Sequence, residues 1–94
     1  MTLYIEPNHL KIVREILKPF HQEFYVFGSR SKGTQRPLSD LDIVSKIPVT
    51  KLQFSQINEQ LEESNLPYKV DLVLWSDLED AFKENIQKDL KPLF

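Results

Sequence analysis

The sequence predicts a small α+β protein, a two-layer α/β arrangement in which apolar strands alternate with helices. Three observations predict it. Three short runs, Glu23–Phe27, Leu41–Val44 and Tyr68–Trp75, are rich in aromatic and β-branched residues and have strand character. The longer segments around them repeat apolar residues at helical spacing. Breakers such as Pro19, Gly28, Pro37, Pro48 and Pro67 fall between these segments and leave their interiors intact.

In chain order, Asn8 is placed to cap a helix running to about Lys18, with Leu10, Val13, Ile16 and Leu17 on one face. Pro19 stops it. The first strand ends at Gly28, a short helical turn is expected over Ser29–Gly33, and Thr34–Ser39 reads as a loop. Leu41, Ile43 and Val44 form a second strand, on which Asp40 and Asp42, two apart, would share one face. Thr50 is the expected N-cap of a helix carrying Leu52, Phe54, Ile57 and Leu61 as far as Glu63, closed by Asn65 and Pro67. A third strand, Tyr68–Trp75, carries Asp71 among apolar residues. Ser76 is then expected to cap a last helix bearing Leu78, Ala81, Phe82, Ile86 and Leu90, with Glu79 completing a capping box. Trp75 is expected in the core, and Lys83, Lys88 and Lys91 on the solvated face of the last helix; Phe94 and Phe20 are candidates for a partner surface. The order is αβ(α)βαβα, without repeat or linker.

Length and charge narrow the function. Ninety-four residues make one expected domain, 1–94, with nothing spare for a second lobe to clamp a substrate. The formal charge is −2, whereas general nucleic-acid binders carry a basic excess, so a polynucleotide is disfavoured as the main substrate. There are no cysteines, no apolar run approaching the ~20 residues of a membrane span, and no signal-peptide pattern. A soluble, cytoplasmic protein without membrane association is expected. His9 and His21 have no matching ligands at zinc spacing.

The chemistry is carried by three acids that interrupt strands. A carboxylate in an apolar run is costly unless something pairs with it. Asp40 and Asp42 would lie roughly 6–7 Å apart along one strand face, and Asp71, on another strand, can lie beside them. Three converging carboxylates repel one another unless a divalent cation intervenes, and hard oxygen ligands suit Mg²⁺ or Mn²⁺. Such ions serve phosphoryl and nucleotidyl transfer. Gly28 at a strand end permits close approach of the backbone to a ligand, and the first N–H groups of the following turn, with the Ser29 hydroxyl, favour a triphosphate. Arg30, Lys32 and Arg36 fit two readings, phosphate contacts or a solvated basic loop. Singly, each aspartate also fits a capping, turn or tolerated buried acid; in order with Gly28-Ser29 they point to a metal site.

The run FGSRSKGTQRPLSDLDIV resembles the signature of the minimal nucleotidyltransferase family, within the DNA polymerase β-like superfamily: GSRARG, a short loop, then SDIDL. VDLVLW matches the segment supplying the third carboxylate. The resemblance implies the polymerase β-like fold, a small mixed β-sheet with helices packed on one face. It implies that Asp40, Asp42 and Asp71 bind the metal ions, with Asp71 also the candidate base, and that Gly28 and Ser29 bind the nucleotide's phosphates. Arg30 falls on the family's first arginine; Lys32 replaces the second, keeping the charge without the planar fork. The implied reaction is transfer of AMP from ATP to a hydroxyl. The implied role is an antitoxin in a hetero-oligomer with a helical HEPN-domain toxin, acting by attaching AMP to the partner's tyrosine. A binding antitoxin that only masks its partner, and a small-molecule nucleotidyltransferase subunit of the antibiotic-modifying kind, are the alternatives.

Overall fold

Four strands form one mixed sheet in the structure, a computed structural model that describes residues 2–94. They are β1 (Phe24–Phe27), β2 (Leu41–Ser45), β3 (Val70–Leu74) and β4 (Lys91–Pro92), in the order β3-β2-β1-β4. The helices are α1 (Pro7–Leu17), α2 (Ser29–Lys32), α3 (Lys51–Glu63) and α4 (Asp80–Gln87). β1 runs antiparallel to both β2 and β4, while β2 and β3 are parallel. Parallel neighbours need a crossover rather than a hairpin, and α3 supplies it.

Alternation along the strands divides the sheet into two faces. Phe24, Val26, Leu41, Ile43 and Leu72 turn to one face, where they pack with Val13 and Leu17 of α1 and Ile57 and Leu61 of α3. Most of these side chains are fully buried, each contributing about 1.5–3 kcal/mol. The opposite face holds a smaller cluster of Phe27, Val44 and Ile86 of α4, flanked by Tyr25, Val73, Trp75, Leu78 and Leu90. The expectation that helices lie on one face alone is thus refined: α1 and α3 cover one face, and α4 covers part of the other.

Local chemistry explains most element ends. Thr50 caps α3 as expected, accepting from the Gln53 N–H at 3.1 Å while Gln53 Oε1 accepts from the Thr50 N–H at 3.0 Å. α1 differs: it starts at Pro7, with Glu6 as N-cap and no side-chain capping bond, so Asn8 lies inside it. Proline's fixed φ suits the first turn, where its missing N–H costs nothing. The Ser76 capping box is also absent. Trp75–Asp77 form a single 3₁₀ turn, Leu78 is extended, and α4 begins at Asp80 after Glu79. That extended residue lets Leu78 reach the smaller cluster before the helix begins.

The tail is built into the fold. Lys91 and Pro92 pair with Val26 and Tyr25, and Leu93 is fully buried in the main core. Lys91 therefore lies on a strand, with its Nζ donating to the carbonyls of Thr2 and Ser31 at 2.9 and 2.6 Å. Phe20 packs against the main core, while Phe94 stays partly exposed. His21 stacks on Phe24 at 4.1 Å and lies 3.0 Å from the Ser45 hydroxyl, a structural placement. Among the described residues no helix is long and apolar enough to cross a membrane.

Candidate active site

Strand register brings the predicted acids together. Phe27 of β1 pairs with Asp42 of β2, and Asp42 pairs with Asp71 of β3, in one row across three strands. Paired residues project to the same side of a sheet, so Asp42 and Asp71 are nearest neighbours on the face that α4 only partly covers. Asp40 is exposed and precedes β2, rather than sharing that strand with Asp42 as expected. The Leu41 N–H donates to the Lys69 carbonyl at 2.9 Å, which locks the start of β2 against the approach to β3. Gly28 follows Phe27 directly, so the Gly-Ser turn opens at the same end of the sheet.

Gly28 is required there for two reasons. Its φ of 75° lies in the region that side chains disfavour, and a Cβ at this position would stand 2.6 Å from Asp42 Oδ2. The carboxylate of Asp42 thus occupies the space that any other residue would fill. Ser29 opens α2, with the N–H groups of Ser31 and Lys32 bonded back to the Gly28 carbonyl at 3.1 and 3.2 Å. The N–H groups of Ser29 and Arg30 lie ahead of that first hydrogen bond, the position at which a helical turn presents donors to an anion. Gly33 closes the turn in the left-handed conformation.

The electrostatics of the row are repulsive. Burial pushes the Asp42 carboxyl up to about 6, and the charges of Asp71 and then Asp40 add to the effect. Asp71 has a partner of its own: its Oδ1 lies 3.2 Å from Lys69 Nζ. Among the described residues, no three acidic or imidazole side chains stand as a ready-made cation cage. The donor set nonetheless suits a hard divalent ion, since it offers only oxygens, carries mutual repulsion that a cation relieves, and has a side-chain-free gap at Gly28. The residues fit Mg²⁺ or Mn²⁺ by chemistry and charge.

The basic residues lie elsewhere than expected. Arg30 is 3% exposed, and its guanidinium donates to the carbonyls of Ser39, Tyr4, Pro37 and Arg36 at 3.0, 3.1, 3.2 and 3.5 Å. It is buried rather than part of a solvated loop, and its donors are directed to backbone carbonyls. Lys32 is half-exposed and lies 3.9 Å from Asp89, drawn toward the turn before β4 rather than toward Asp42. Two residues near the site escaped the sequence reading. Lys69, just before β3, pairs with Asp71, and its signal was their two-residue spacing within the expected strand Tyr68–Trp75. Tyr68 lies beneath the Arg30 guanidinium at 4.0 Å, and no sequence signal marks that contact.

Comparison with known proteins gives the family of the chain. A family model described as the nucleotidyltransferase domain matches residues 7–93. A probable protein adenylyltransferase MntA of Haemophilus influenzae is 39% identical over 90 residues, covering 92% of this chain and 79% of that protein. A crystal structure of a toxin-antitoxin with AMP-PNP superposes with a TM-score of 0.68 at 24% identity, over 90% of this chain and 72% of that one, and shows the same fold. With its Gly-Ser turn and strand-borne aspartates in that context, the chain belongs to the nucleotidyltransferase domain family.

Proposed function

We propose that this protein transfers AMP from ATP to a hydroxyl on a partner protein, and that it does so as the antitoxin of a toxin-antitoxin pair. The carrying observation is the register row that sets Asp42 beside Asp71, with Gly28 leaving room for the Asp42 carboxylate. The adenylyl donor and protein acceptor are supported by the 39% identity to a probable protein adenylyltransferase. The pairing is supported by the toxin-antitoxin whose fold this chain shares. A helical HEPN-type toxin is the partner that the signature's family resemblance suggests, in a cytoplasmic hetero-oligomer.

Asp40, Asp42 and Asp71 would hold Mg²⁺ or Mn²⁺, which when bound activates the attacking oxygen and stabilises the leaving one. Gly28 and Ser29 bind the triphosphate through backbone N–H groups and the Ser29 hydroxyl. Asp71 lies at the open end of the row, next to Lys69, and accepts the proton of the incoming hydroxyl. Asp42, already disfavoured as an anion, gains most from a neighbouring cation.

A second reading, an antitoxin that masks its partner without catalysis, is favoured by one observation, the Lys69–Asp71 ion pair in place of a preformed cage. The test is incubation of the protein with labelled ATP, Mg²⁺ and the helical product of the adjacent gene. Label on the partner that is lost in Asp42→Asn is the expected result. Full neutralisation of the partner by Asp42→Asn, with no label in the wild type, would establish masking instead.

A further inference from the structure

We infer that Arg30 is a positioning residue that clamps the loop delivering Asp40 and couples it to the segment delivering Asp71. The inference rests on the carboxylate reading above and adds to it how the carboxylates are held. Burying a guanidinium is costly unless its N–H groups are satisfied. Here four donor contacts run to carbonyls, and the cation lies 4.0 Å over the Tyr68 ring. Its direct acceptors are neutral, so the side chain is arranged for geometry rather than for pairing with a carboxylate.

The acceptors lie where geometry matters. Ser39 immediately precedes Asp40, so the 3.0 Å bond from Arg30 Nε falls one peptide from an expected metal ligand. Nη2 holds Arg36 and Pro37 in the same loop, and Nη1 holds Tyr4 of the N-terminal segment. Tyr68, under the guanidinium, lies three residues before Asp71. The loop between α2 and β2 has no helix or strand of its own. Its internal support is one reciprocal pair, in which the Arg36 N–H donates to Ser39 Oγ at 2.8 Å and the Ser39 N–H to the Arg36 carbonyl at 3.1 Å. A lysine here keeps the charge, but its single nitrogen cannot span carbonyls on both sides of a planar fork.

The test compares the wild-type chain with Arg30→Lys and Arg30→Ala by Mn²⁺ titration, ATP KM and kcat, and amide exchange at Ser39–Leu41. Residues that orient metal ligands are worth about 10–100-fold in metal affinity or activity. The expected result for Arg30→Lys is a loss of that size in Mn²⁺ affinity and kcat, an ATP KM within about twofold of wild type on the same ground, and faster exchange at Ser39–Leu41. A raised ATP KM with unchanged Mn²⁺ affinity would overturn the inference in favour of a phosphate contact, and wild-type values throughout would also overturn it.

Arg30→Ala provides a second arm should the lysine variant fold poorly. A cavity of about 450 Å³, lined in part by Tyr4, Arg30, Gln35, Arg36 and Pro37, opens toward the guanidinium and gives added methylguanidinium a way in. Restoration of slow exchange and Mn²⁺ binding by methylguanidinium, and not by methylammonium, is expected; equal action of the two, or no restoration, counts against the clamp. Failure of the wild type to bind Mn²⁺ or transfer AMP would defeat the proposed function alone, because the exchange measurement still reports on the clamp.

Discussion

The two faces of the sheet are built to opposite rules. On the face covered by α1 and α3, Leu41 and Ile43 of β2 are fully buried among side chains of the same kind. On the other face, the very next residue, Asp42, shares its row with Asp71 and is pushed up to about 6 by burial and by its acidic neighbours. One short strand thus places stability on one side and a destabilising cluster of like charge on the other. Such a departure from the rules at one face would suit the cation proposed for it, and the neighbouring face supplies the stability that tolerates it.

The sharpest way to separate the faces is to change one residue on each. Asp42→Asn should lower AMP transfer by at least about 100-fold, since a direct ligand should matter more than the residues that orient it. The same variant should melt higher than wild type without metal at pH 7, by on the order of 1 kcal/mol after allowing for solvent screening. Loss of both activity and metal-free stability would place Asp42 in the structural class instead. Ile43→Ala should do the reverse. It should cost about 2–5 kcal/mol of stability by leaving a cavity, while Mn²⁺ affinity, titrated where the variant is still folded, stays near wild type. Gly28→Ala lies between them: the positive φ and the approach to Asp42 Oδ2 should cost about 1–3 kcal/mol and weaken Mn²⁺ binding as well. Stability loss with unchanged Mn²⁺ binding would show that Gly28 serves the turn alone.

The same contrast explains what could be read from the sequence. The core face was legible because Phe24, Val26, Leu41 and Ile43 alternate at strand period, and α1 and α3 repeat Val13–Leu17 and Ile57–Leu61 at helical spacing. The three aspartates were legible as interruptions of apolar runs. Their register was not, because the pairing of Asp42 with Asp71 depends on where the α3 crossover returns β3. β4 escaped notice because Lys91-Pro92 is too short for a period, and the proline reads as a breaker although an edge strand tolerates it. The burial of Arg30 was not legible because its acceptors are backbone carbonyls, which no residue type advertises. The start of α4 was misjudged because Ser76 and Glu79 have capping spacing, while tertiary packing draws Leu78 into an extended turn.

The central claim is that the repulsive carboxylate row exists to receive a divalent cation. Its most direct test is the melting temperature of the wild-type chain at pH 4.5 and pH 7.5, with and without Mg²⁺. Because Asp42 titrates higher in the folded protein than in the unfolded chain, its proton favours the folded state at low pH, and that stability is lost as pH rises from about 4 through about 6. The account predicts a clear rise in melting temperature with Mg²⁺ at pH 7.5, little rise at pH 4.5, and no pH-dependent gain in Asp42→Asn. An equal response to Mg²⁺ at both pH values, or an undiminished one in Asp42→Asn, would contradict it.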